Sequence, residues 1–96
     1  MRPITLADIQ GAVAAVSLIP PDQRLQQVEN WLDIAHAADK YRKRTGHWHA
    51  RFGNGSLLSA VPRSAPPDVN GRLYAECLCA VAKALAQRKG ANLSRN

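Results

Sequence analysis

His47 and His49 stand two residues apart in the run RTGHWHARFGNGS, inside a stretch crowded with cations. Three chemistries use residues of these types at such spacings. The first is metal ligation. In an extended backbone alternate side chains share a side, so His47 and His49 project together as two imidazole ligands. A third ligand has to come from His36, Cys77, Cys79 or an acid, and no spacing marks one. An isolated His-x-His pair in a basic loop is a weak signature, and no resident metal is expected. The second chemistry is anion binding. Lys40, Arg42, Lys43 and Arg44 lead directly into His47, Trp48, His49, Arg51 and Phe52. Cations interleaved with aromatics suit phosphate contacts combined with base stacking. Trp48 and Phe52 serve equally well as core residues covering a helix pair, and once buried they leave only the charges for a ligand. The third is acid/base catalysis by Glu29 and Asp33, one helical turn apart beside His36. A solvated helix face decorated with charge accounts for that trio without any reaction.

No catalytic signature goes further than this. Gly53-Asn54-Gly55 follows no strand at the spacing of a dinucleotide or Walker loop, no G-x-S-x-G elbow exists, and neither cysteine has a nucleophile's context. The expectation is a protein that is not an enzyme and needs no cofactor. Helix-turn-helix, zinc-finger and RNA-binding signatures are also absent.

Charge is polarised along the chain. Residues 1–39 carry two arginines against five acids, a net of −3. Residues 40–67 hold Lys40, Arg42, Lys43, Arg44, Arg51 and Arg63 with no acid, and residues 68–96 add a net of +3. Such polarity concerns partners more than fold. Cys77 and Cys79, on a helix, point about 200° apart and cannot pair within it. That spacing implies no disulfide framework and agrees with a reducing compartment. No apolar run reaches the length of a membrane span, and the apolar patch Ala12–Ile19 reads poorly as a signal peptide. A cytoplasmic protein is expected.

Helices must position these groups. Thr5 with Asp8 reads as an N-cap with an acidic partner, and Leu6, Ile9, Val13 and Val16 recur on one helical face until Pro20-Pro21. A second helix starts at Pro21 and runs to Arg44, with Leu25, Val28, Leu32 and Ala35 on one stripe and Trp31, Ile34, Ala38 and Tyr41 beside it. Lys40 to Arg44 complement the negative end of its dipole, and Gly46 suits a C-cap. From His47 to Phe52 the pattern changes to strict alternation, an extended segment. Gly53-Asn54-Gly55 then turns, either closing a hairpin with 56–61 or, the preferred outcome, letting Asn54 or Ser56 cap a short helix. Pro62 to Asn70 is a loop. A last helix presents Leu73, Tyr74, Cys77, Leu78, Val81, Ala82 and Leu85 inward and is expected to stop at Gly90.

The run AADKYRKRTGHWHARFGNGSL resembles a family of small alphaproteobacterial proteins classed as a domain of unknown function. In that family an Ala-Asp-basic-Tyr stretch ends a helix before Thr-Gly, and an aromatic-Gly-Asp/Asn-Gly-Ser-Leu turn follows. Met1-Arg2-Pro3 and the Pro20-Pro21 break fit too, and Asn54 stands where an acid is expected. The resemblance implies a bacterial cytoplasmic protein and an all-helical fold; it carries no activity.

These readings combine into an all-α domain over residues 1–90 with a disordered tail at 91–96. Its three main helices span about 5–18, 21–44 and 70–89, with a short fourth near 55–61. Ile9, Val13, Leu25, Val28, Leu32, Leu78, Val81 and Leu85 are expected to be buried around the middle helix. The expected function is non-catalytic binding or regulation through a cationic surface at 40–51, with Lys40, Arg42, Lys43, Arg44, His47, His49 and Arg51 contacting an anionic partner, above all nucleic acid. The alternative is a protein–protein adaptor or a homodimer docking through acidic and alanine-rich helix faces. On the first reading, alanine at Arg42, Lys43 and Arg44 abolishes binding at unchanged thermal stability.

Overall fold

The capping box is in place. Thr5 donates its backbone N–H to Asp8 Oδ2 at 2.8 Å and accepts from the Asp8 N–H on its hydroxyl, which starts α1 (Leu6–Val16). The computed structural model describes residues 4–47 and 53–94. Ala12 through Val16 are all buried, so the second half of α1 is enclosed and not merely laid on a surface. Leu6, in the first turn, is exposed.

Pro20 and Pro21 turn the chain through a single 3-10 turn (Pro21–Gln23) into α2 (Arg24–Thr45). Arg24 secures this corner from inside. Its Nε donates to the carbonyls of Val16 at 3.1 Å and Ile19 at 3.0 Å, pinning the turn after α1 in which the Val16 carbonyl also accepts from the Ile19 N–H. Gly46 ends α2 at φ 75°, donating its N–H to the Arg42 carbonyl at 2.8 Å as the expected C-cap.

After the Gly53–Ser56 turn the helical alternative holds. Ser56 caps α3 (Leu57–Ala60) by accepting from the Ser59 N–H, and Asn54 Oδ1 accepts from both the Ser56 N–H and its hydroxyl. α3 is tied to α1 by one long-range bond, from the Leu58 N–H to Asp8 Oδ1 at 2.9 Å. Asp8 therefore caps two helices at once and is itself buried. Replacing Asp8 with alanine is expected to cost about 2 kcal/mol, one cap plus one buried amide left unpaired. Urea unfolding measures it, and a loss below half that value would mean the α1–α3 tie is not made in solution.

α4 (Arg72–Ser94) follows the proline loop and passes through Gly90 without stopping. One interior glycine costs a helix only about 1 kcal/mol, and no proline follows to end it. Residues 91–94, expected as tail, are helical. α2 touches each of the other helices, packing most extensively on α4. The core joins Val13 and Val16 of α1, Val28, Trp31 and Leu32 of α2, Leu57 and Val61 around α3, and Cys77, Val81 and Ala84 of α4. Ile9, Leu25 and Leu85 are half-buried against it. Leu73, on the core line but in the first turn of α4, is exposed, and Leu78 and Ala82 also depart from expectation, Leu78 at 37% exposed. The core line of α4 runs 77–81–84, and one residue further on turns about 100° away from it. Among the described residues the fold is a small all-α bundle with three main helices and no strand. No helix in them is long and apolar enough to cross a membrane.

Candidate anion-binding surface at the end of α2

The core stripe of α2 does not stop at Ala35. Continued at helical spacing it reaches Asp39 and Arg42. Asp39 is accordingly buried, at 1% exposed. Arg42 Nη2 lies 2.9 Å from its Oδ1 and Lys43 Nζ 3.2 Å from its Oδ2. The Arg42 hydrogen bond, aided by Lys43 and opposed by burial, holds the Asp39 carboxyl well below the usual carboxylate range. The turn after residue 52 closes the cover. Gly55, at φ 95°, is so near α2 that a Cβ there would stand 2.9 Å from Asp39 Cα. Arg42 Nε is buried with no acceptor among the described residues, so this guanidinium is committed inward.

The seven candidate cations are thereby divided. Arg42 is half-buried and engaged by Asp39; Lys43 touches the same carboxylate from the outside, its side chain 67% exposed. Lys40, Arg44 and His47 are exposed, with no carboxylate within ion-pair distance of Lys40 or Arg44 among the described residues. Arg63, in the proline loop, is likewise exposed. His49 and Arg51, the alternation over 47–52, and the choice between core and stacking for Trp48 and Phe52 lie outside the described residues. The division alters the expected outcome of the triple substitution. Removing Arg42 strips a buried carboxylate of its principal partner, so stability cannot stay level.

Arg88 of α4 holds Asp33 at 2.9 Å, bridging α4 to α2. His36 is half-buried, and burial, then the positive charges of Lys40 and Arg88, lower its pKa. Burial pushes the Cys77 thiol up, and Cys79 is an exposed free thiol. No group of three or more His, Cys, Asp or Glu side chains converges among the described residues.

Sequence reasoning missed the buried acids and Arg24. The signal was present: Asp39 occupies the next helical step after Leu32 and Ala35, with arginine three residues on. An acid on an apolar stripe beside a basic i+3 neighbour reads as a buried pair.

Comparison with curated proteins and with solved structures finds no match. A family model does match, over residues 2–85, covering α1, α2, α3 and most of α4. The chain belongs to that family, described as Domain of unknown function (DUF7742).

Proposed function

We propose that this is a non-catalytic binding protein of the bacterial cytoplasm whose outward cations at the end of α2 contact an anionic partner, nucleic acid phosphate first among them. One observation supports the reading. Lys40 and Arg44 stand exposed and without a carboxylate partner among the described residues, in a segment that contains no acid from 40 to 67. Lys43 shares its charge with Asp39 and still reaches solvent. Arg42 drops out of the contact set and becomes the support beneath it. Contacts of this kind are sequence-tolerant and weaken steeply with salt.

The test keeps Arg42 intact. Fluorescence anisotropy with a labelled mixed-sequence DNA is compared between the wild-type chain and a Lys40→Ala/Arg44→Ala variant. The expected result is a salt slope smaller by about two contacts and a clear loss of affinity. Thermal stability should change by less than about 0.5 kcal/mol, because both side chains are on the surface. Equal binding by the two proteins, or none by wild type, would overturn the reading. Partner docking through helix faces is the second reading; what favours it is apolar surface left open on α4.

A further inference from the structure

A cleft of about 720 Å³ opens between α1, α3 and the first residues of the proline loop, a size that suits a small molecule. Part of its wall is apolar. Leu58 lies so close to Gly11 of α1 that a Cβ at residue 11 would stand 2.5 Å from Leu58 Cδ1, yet Leu58 remains 47% exposed. Val61 and Pro62 continue the same wall.

The polar groups still available in the cleft are donors. Asn54 Oδ1 accepts the Ser56 N–H at 3.0 Å and the Ser56 hydroxyl at 2.8 Å. A backbone N–H requires an oxygen there, so the end of the carboxamide left over is its NH2. The Ser59 hydroxyl is already used, donating to the Ser56 carbonyl and accepting from the Asn54 N–H. Arg63 and Ser64 make no hydrogen bond or ion pair to another described residue. No carboxylate balances these donors. Every described residue of the cleft except Gly11 comes from the segment 40–67, which contains no acid. Asp8, behind α3, has both oxygens engaged, by Leu58 on one and Thr5 on the other.

We propose that this cleft binds a small organic anion, a carboxylate or phosphate monoester carried on an apolar body, with Arg63 as its charge partner. A guanidinium meets two oxygens of either head group at once, as a point charge does not. The Asn54 NH2 and the Ser64 hydroxyl supply further donors from the same cleft. Leu58, Val61 and Pro62 receive the body, which removes exposed apolar surface from water. A cationic ligand would meet Arg63 and no compensating acid. Neither Lys40 nor Arg44 lines the cleft, so the proposal is independent of nucleic-acid binding at the end of α2.

Heteronuclear NMR titration of the full chain tests it, with phenyl phosphate, benzoate and the neutral benzyl alcohol as probes. At least one anion is expected to saturate with a dissociation constant of about 1 mM, the scale open to so small a ligand. It should shift the Asn54 side-chain NH2 together with the backbone amides of Arg63 and Ser64, and the tighter anion identifies the head group. Benzyl alcohol, which lacks the charge, should bind roughly tenfold more weakly. Arg63→Gln, at an exposed loop position, should weaken the anion roughly tenfold or more with the fold intact. Lys40→Ala/Arg44→Ala should bind these probes as the wild type does, even where it loses DNA. Saturation by neither anion, equal binding of benzyl alcohol, or wild-type affinity in Arg63→Gln overturns the proposal. So does loss of the probes in Lys40→Ala/Arg44→Ala, which would assign them to the end of α2.

Discussion

Arg42→Ala is expected to destabilise the protein by about 2–3 kcal/mol, lowering the thermal midpoint by on the order of 10 °C or more. Asp39 is enclosed, and Arg42 supplies its 2.9 Å hydrogen-bonded charge. Deleting one partner of a buried pair leaves the other desolvated and uncompensated, which typically costs 3–5 kcal/mol. The lower figure applies because Lys43 keeps its 3.2 Å contact with the same carboxylate. The mechanism separates from simple loss of side-chain packing by a double-mutant cycle. In an Asp39→Asn background the same Arg42→Ala change should cost less than about 1 kcal/mol, because no buried charge remains to be orphaned. A cost equal in both backgrounds would show that the ion pair contributes nothing.

The sign of the pH dependence follows from the same contact. Arg42 depresses the folded-state carboxyl of Asp39 below its unfolded value, so its contribution is fully present above about pH 4. It is lost as pH falls from there through the lower folded-state value, because the unfolded chain then binds the proton first. Urea midpoints between about pH 2.5 and pH 7 should therefore fall more steeply on acidification for wild type than for Asp39→Asn. Parallel profiles would contradict it.

Gly55→Ala should be at least as damaging, at roughly 3 kcal/mol. Two terms act together. The residue sits at φ 95°, where an L side chain is strained by about 1–2 kcal/mol. Its new Cβ would also meet Asp39 at 2.8 Å from Cβ, 2.9 Å from Cα and 3.1 Å from the backbone nitrogen. Helix backbone cannot step aside as a flexible side-chain end does, so the turn must lift and carry α3 with it, at about 1–3 kcal/mol for such overpacking. Gly46→Ala provides the control. That residue also has positive φ, at 75°, but nothing stands within 4 Å of the added Cβ, so only the strain term, about 1 kcal/mol, is expected. Similar losses at both positions in thermal melts would mean that the approach of the turn to α2 is not tight in solution.

The ends of the helices were readable because the groups that set them are local. Thr5 with Asp8, Pro20-Pro21, Gly46 and Ser56 each act within a few residues of themselves, and the structure uses all of them as the spacing indicates. Gly90 misled for the complementary reason. A glycine ends a helix only when the following chain leaves it, and here the chain continues to Ser94. The stripe of α2 is legible as apolar residues only as far as Ala35, since the next two steps are an acid and an arginine. The geometry continues regardless of residue type, so Asp39 and Arg42 go inward together.

By itself, then, the sequence determined that the protein is helical, where its helices begin, and that its cations crowd one segment free of acids, since propensity, caps and composition need no knowledge of the fold. Tertiary structure alone decided which of those cations face outward. Asp39 and Arg42 meet within α2, and it is Gly55, sixteen residues beyond Asp39, that closes over the carboxylate side of the pair. Asp8 likewise acquires its second role only when Leu58 arrives beside it. Burial turns a charge from a handle for partners into a fastening of the core, and burial is a property of the packed chain.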